Sequence, residues 1–141
     1  MQPFEQKVRA SFARQSFMTT LGAELVSVDH GSVEIRLPFS AALGQQDGFA
    51  HAGAITSILD SACGYAALSV ARQGAEVLSV EFKVNLLAPA VGDTFIARAA
   101  VKRAGKTLCV CTGDAIAIRS GEEKLIATML ATMIYMQVKK S

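Results

Sequence analysis

The sequence of 141 residues is apolar, with 51% hydrophobic and only 18% charged residues, and its formal net charge of +2 is small and scattered. It has no long basic run and no interleaving of aromatic with basic residues, which excludes the electrostatic footprint of a nucleic-acid-binding protein. A chain of this length makes a single domain spanning 1–141 that buries about two thirds of its unfolded surface, and the apolar excess points to further burial by self-association.

Residues 3 to 16 place Phe4, Val8 and Phe12 at four-residue spacing among Gln, Lys and Arg. This describes an amphipathic surface helix, so residues 1–20 are expected to form a helical brace or lid. From Ala23 the period changes to two: Leu25 to Asp29, then Val33, Ile35 and Leu37 set against Glu34 and Arg36, with Asp29-His30-Gly31-Ser32 as the turn of a hairpin. His30 reads as a turn residue. Pro38 opens a loop that Gly44 to Gly48 keep irregular until a helix begins near His51.

That helix, from His51 to Val70, is the longest apolar stretch. Ile55, Ile58, Leu59, Ala62, Ala66 and Val70 follow helical spacing, and the remaining positions are no more polar than Ser57, Ser61, Gly64 and Tyr65, with the sole exception of Asp60. The helix is predicted to be central. Its interruption by Asp, Ser and Thr and the absence of an apolar N-terminal leader point to a cytoplasmic, soluble protein without a membrane partner.

After Gln73-Gly74 alternation returns, with Leu78, Val80, Phe82, Val84 and Leu86 set against Ser79, Glu81, Lys83 and Asn85. Ala88-Pro89-Ala90 ends that strand. Thr94 to Lys102 forms the next, Arg103-Ala104-Gly105-Lys106 a tight turn, and Thr107 to Arg119 and Lys124 to Val138 two more strands joined by Ser120-Gly121-Glu122. Turns this short make these strands antiparallel. The expected class is α+β, a sheet of five or six antiparallel strands curled around one buried helix, since a parallel sheet would need several crossover helices.

Cys63, Cys109 and Cys111 are odd in number and lack zinc-knuckle spacing, so they read as buried thiols. With only two histidines and no phosphate-binding or dinucleotide glycine fingerprint, neither a metal nor a cofactor is implied. No nucleophile elbow or triad is present. His51 and Asp60, nine residues apart, fall on opposite sides of the helix and about 13 Å apart along it, so they form no dyad within one chain. Chemistry therefore rests on Asp60 alone or on Asp60 with groups from another subunit. A carboxylate in such a helix is costly to ionise without partners, which marks a candidate site; an Asp capping a neighbouring turn or facing water is the alternative. The first backbone amides of the helix can receive an oxyanion, and the Gly44-Gln45-Gln46-Asp47-Gly48-Phe49-Ala50 loop either gives a carbonyl access to them or serves only as a turn.

The segment G-F-A-H-A-G-A-I-T-S-I-L-D-S-A-C-G-Y-A, residues 48–66, resembles the G-x-x-H-G-G-x-x-x-x-L-x-D-x-x-x-G-x-A signature of hotdog-fold acyl-CoA thioesterases of the phenylacetate-degradation (PaaI-like) type. The likeness extends over nearly the whole chain, through L-G-A-E-L-V-S-V, S-V-E-F-K-V-N-L-L-A-P-A and A-G-K-T. The resemblance implies a sheet wrapped around the long helix, subunits joined edge to edge as a homodimer or a dimer of dimers, and active sites between them. It implies Asp60 as general base or nucleophile, the Ala52 amide as donor to the thioester oxygen, Gln45 as a residue placing substrate or water, and Ser79 as a residue orienting the attacking water. Gly48, His51 and Gly53 of the motif would lie against the substrate. Two departures stand out: Ala52 replaces the first glycine after the motif histidine, adding a methyl group, and Gln45 replaces Asn, adding a methylene. Arg98, Lys102, Arg103 and Lys106 are candidate cations for the coenzyme A phosphates, or simply a solubilising turn. The expected activity is hydrolysis of a small to medium acyl- or aryl-CoA. A hydroxyacyl-CoA dehydratase or hydratase using His51, and a non-catalytic acyl-CoA-binding module, are the alternatives.

Overall fold

The computed structural model describes residues 1–137. In chain order it contains α1 (Pro3–Arg14), α2 (Ser16–Leu21), β1 (Glu24–Asp29), β2 (Ser32–Pro38), a 3-10 turn at Ala41–Leu43, α3 (Ala52–Ser69), β3 (Ala75–Leu86), β4 (Thr94–Ala104), β5 (Leu108–Arg119) and β6 (Glu122–Gln137). The predicted end of the last strand, Val138, lies outside the described residues. The strands make one antiparallel sheet in the order β1-β2-β4-β5-β6-β3, so β1 and β3 are its edges.

The sheet closes over α3 where small residues alternate with larger ones such as Ile35, Leu37, Phe95, Met129 and Met133 on its inner face. Ala97, Ala99, Ala115, Ala117, Ala127 and Ala131 are buried there, opposite the wholly buried Ile58, Leu59, Ala62 and Cys63 of the helix. Gly113 marks the closest approach: a Cβ at that position would lie 3.2 Å from both Cys63 Sγ and Leu59 Cδ2. Two polar pins fix the helix lengthwise. Tyr135 Oη donates to Ala67 O at 2.9 Å, and Ser69 Oγ accepts from Gly31 N at 2.8 Å while donating to Ala66 O at 2.7 Å. Along α3 one strip stays half-buried, formed by Ala52, Thr56, Ser57, Asp60, Ser61 and Gly64 at helical spacing.

Several sequence expectations need correction. The N-terminal brace is two helices, because Gln15 leaves the helical region with ψ at 95° and α2 starts afresh at Ser16. Val8 is fully buried, with Phe4 and Phe12 packed beside it, so α1 is fixed against the core. Arg103 and Ala104 still belong to β4, and the turn is tightened by the Gly105 amide on Leu108 O at 2.7 Å. The β5–β6 turn is confined to Ser120 and Gly121, both at positive φ, and Glu122 is already in β6. The most consequential correction concerns β3. Its pairing with β6 runs Ser79↔Met133 and then Glu81↔Thr132, leaving Val80 as a bulge. An extra residue shifts the period of two, so Ser79 faces inward while Val80 is more than half exposed. The single apolar face expected through Leu78, Val80, Phe82, Val84 and Leu86 is therefore broken.

Candidate active site

Asp60 is half-buried on the open strip of α3, and its Oδ1 accepts a 2.6 Å hydrogen bond from Ser79 Oγ. The bulge at Val80 is what turns Ser79 toward the helix. Ser79 Oγ also lies 3.4 Å from Met133 Sδ. Around this pair is a cleft of about 190 Å³ walled by α3, β3 and the α1–α2 joint. A second cleft of about 590 Å³ opens at the N-terminus of α3, between the 45–50 loop and the Leu86–Ala90 segment. It reaches Ala52 and leaves Asp60 out. Ala52 and Asp60, eight residues apart, are separated by about 12 Å along the helix. One chain thus presents the carboxylate and the helix N-terminus in two different clefts.

The N-terminus of α3 is capped and leaves one backbone amide free. His51 sits at φ −64° and ψ 139°, and its Nδ1 caps the helix by accepting from Gly53 N at 2.8 Å. Gly53 leaves room for this cap, since a Cβ there would lie 3.0 Å from His51 Nδ1. Among the described residues the Ala52 amide makes no hydrogen bond, which leaves it as the free donor at the positive end of the helix dipole. An imidazole that accepts at Nδ1 carries its proton at Nε2, so His51 offers a donor and no base. The adjoining loop is held by Gln45: its backbone amide donates to Phe49 O at 2.8 Å, and its Oε1 accepts from the Asp47 amide. The Gln45 NH₂ group remains to donate into the cleft that it lines. Gly48 turns the loop back with φ at +86°, a conformation that side chains disfavour.

The four candidate cations are not brought together. Arg98 lies on the outer sheet face, paired with Glu34 at 2.9 Å and Glu123 at 3.0 Å. Its hydrogen bonds and charge hold the Glu123 carboxyl below the ordinary range. Lys102, Arg103 and Lys106 are exposed at the β4–β5 hairpin, which Arg72 ties to the segment after α3 through Lys106 O. Within one chain that is the C-terminal end of the 18-residue α3, roughly 27 Å from Ala52. Cys63, Cys109 and Cys111 are all buried free thiols, and Cys109 Sγ lies 3.8 Å from Cys111 Sγ. Burial, reinforced by Asp60 and Cys109, pushes the Cys63 thiol up to about 12. Among the described residues no cluster of His, Cys, Asp and Glu is arranged to hold a metal.

Sequence reasoning missed one group. Ser11, Gln15, Ser61 and Tyr65 make a hydrogen-bonded cluster on the wall of the Asp60 cleft. Ser61 and Tyr65, spaced by four on the helix, were a visible signal; Gln15 was not, because nothing in the sequence marks the break between the first two helices.

Residues 47–124, more than half of the chain, match the model of the thioesterase superfamily. A thioesterase family protein from Silicibacter pomeroyi is 52% identical, with a TM-score of 0.94 over 96% of this chain and 99% of that one. The Escherichia coli PaaI protein from the phenylacetic acid degradation operon shares the fold at 22% identity, with a TM-score of 0.85 over 94% and 93% of the two chains. A candidate esterase of Saccharolobus solfataricus is 25% identical over 119 residues, 84% of this chain and 82% of that protein. The six-stranded antiparallel sheet around one central helix, the motif at the start of that helix and these likenesses lead to one conclusion: the chain belongs to the thioesterase superfamily, as a hotdog-fold thioester hydrolase.

Proposed function

We propose that the protein hydrolyses small to medium acyl- or aryl-CoA thioesters, with Asp60 as the reacting carboxylate. The observation that carries this reading is the Ser79–Asp60 hydrogen bond at the mouth of a cleft. Ser79 occupies Oδ1, so Oδ2 remains free to take a proton from water. The water oxygen adds to the thioester carbon and the carbonyl oxygen becomes an oxyanion. The Ala52 amide, at the positive end of α3, is suited to receive that charge, and the Gln45 NH₂ group to place substrate or water. Collapse of the tetrahedral intermediate breaks the carbon–sulfur bond, and the thiolate of coenzyme A takes up the proton. His51 contributes as a cap and a donor, which disfavours a hydratase that needs a histidine base.

The 12 Å between Ala52 and Asp60 supports a site made by two chains, Asp60 from one and the Ala52 amide from the other. The edge strand β3 is the natural seam. It is twelve residues long and has no strand on its outer side, and Leu78, Val80, Phe82 and Leu86 are exposed along it. A dimer of dimers is supported by the outer-face row Leu108–Ile134–Leu78, which crosses three strands in register. In such an assembly Lys102, Arg103 and Lys106 of one chain can serve the site of another. Free thiols fit a cytoplasmic location, and among the described residues no helix is long and apolar enough to cross a membrane.

Free-thiol release from a panel of acyl-CoAs, run beside hydration of an enoyl-CoA, tests the activity. Asp60→Asn is expected to keep a cooperative melt and lose hydrolysis by about 100-fold. Wild-type turnover by a folded Asp60→Asn protein removes Asp60 from the mechanism.

A further inference from the structure

Ser61 Oγ donates to Gln15 Oε1 at 3.1 Å, Gln15 Nε2 donates to Tyr65 Oη at 2.8 Å, and Ser11 Oγ donates to the same Tyr65 oxygen at 3.3 Å. Tyr65 is only 7% exposed, and its ring packs on Phe12 with centroids 5.8 Å apart. Counting protons, the Tyr65 oxygen accepts twice, and its own proton has no acceptor among the described residues. Reversing the Ser11–Tyr65 bond moves the unused proton to Ser11 without giving it an acceptor. Tyr65 lines the cleft beside Asp60, so a group bound there can accept that proton.

Resting on the thioester-hydrolase reading above, we infer that this cleft is the acyl pocket and that Tyr65, held in place by Gln15, selects short acyl groups carrying a neutral hydrogen-bond acceptor at their far end. The volume of about 190 Å³ equals about six water volumes, so it suits a short group. The larger cleft at the N-terminus of α3 is left for the pantetheine arm. Leu68, Val77 and Met133 give the pocket apolar walls, which suit a carbon chain between the thioester and its terminal oxygen. Glu76 on the same wall disfavours an acyl group that ends in an anion. Tyr65 is thus a specificity-determining residue, and Gln15 a positioning residue that acts through it.

The test compares 4-oxopentanoyl-CoA with 4-methylpentanoyl-CoA, near-isosteres in which a carbonyl replaces a methyl-bearing CH at the fourth carbon. The wild-type ratio of kcat/KM is expected to favour the oxo substrate by about 10-fold or more. Tyr65→Phe, which keeps the ring, should bring that ratio close to one, and Gln15→Met should lower it by a smaller factor. The Gln15 side chain caps no helix, so the second variant keeps the test open should the first fail to give a cooperative melt. The Kd values of both thioesters are measured in parallel on an Asp60→Asn background, where the same preference should appear without turnover. Release of no thiol from either substrate by the wild type defeats the hydrolase reading, while the ratio of Kd values still decides this inference. A wild-type preference for the branched acyl group, or a ratio unmoved in the folded variants, overturns it.

Discussion

Asp60 and Cys63 stand three residues apart on α3, yet one opens into a cleft and the other is sealed in the core. Cys63 is held protonated by burial, and by the nearby charges of Asp60 and Cys109, to about 12 from an ordinary 9.0. Between those two values an unfolded chain has lost the thiol proton while the folded chain retains it. The unfolded state then binds fewer protons, so stability falls as pH rises through this window and is unaffected below it. The limiting slope is about 1.4 kcal/mol per pH unit for this thiol. Urea unfolding of wild type and Cys63→Ala at pH 8, 9.5 and 11 should show a shallower decline in the variant; identical slopes would place the pH sensitivity elsewhere. Asp60 was legible in the sequence as the one carboxylate in an apolar helix, and the three cysteines as buried thiols. Ser79 was not legible from periodicity, which assigned it to the solvent face, because a bulge leaves no mark in residue order.

At the level of elements, the sheet approaches α3 most closely at Gly113, amid a run of inward alanines. Gly113→Ala tests this directly. The added methyl would sit 3.2 Å from two side chains that are themselves wholly buried. We expect a loss of about 1–3 kcal/mol in urea unfolding with activity preserved per folded molecule, and a neutral result would show that α3 can shift outward. The strands and the helix were readable because hydrophobic spacing differs so clearly between periods of two and near four. The break at Gln15 was not, since neither Gly nor Pro marks it and Phe4, Val8 and Phe12 set a period that runs straight up to it. The bulge at Val80 and the turn at the end of β4 were missed for a related reason: local pairing, which involves a partner strand, decides where alternation slips.

For the whole molecule, the separation of Ala52 and Asp60 into two clefts underlies the proposed two-chain site, and complementation makes that proposal measurable. Ala52→Pro deletes the free amide at the first helical position, and His51 already has the extended conformation that a following proline requires. Each of Ala52→Pro and Asp60→Asn should be nearly inactive alone. A mixed dimer gathers both defects in one site, so co-refolding equal amounts should restore roughly a quarter of wild-type activity under random pairing. Folded mutants that exchange subunits without recovery would refute the shared site. The wrapped architecture was legible, because one apolar helix beside several antiparallel strands has few other arrangements. The separation of Arg98 from Lys102, Arg103 and Lys106 was not legible, because sequence alone does not tell which face a strand residue takes or which end of the helix a hairpin reaches. The strand order also imposes a sequence in time. The β4–β5 and β5–β6 pairs close across tight turns, whereas β3 must find β6 across a loop that puts Ser79 and Met133 54 residues apart. Closing that loop costs more chain entropy, so the edge bearing Ser79 should dock after the meander has formed. In pulse-labelled hydrogen exchange during refolding, the amides of β5 should gain protection before those of β3: the molecule builds its scaffold first and its chemistry last.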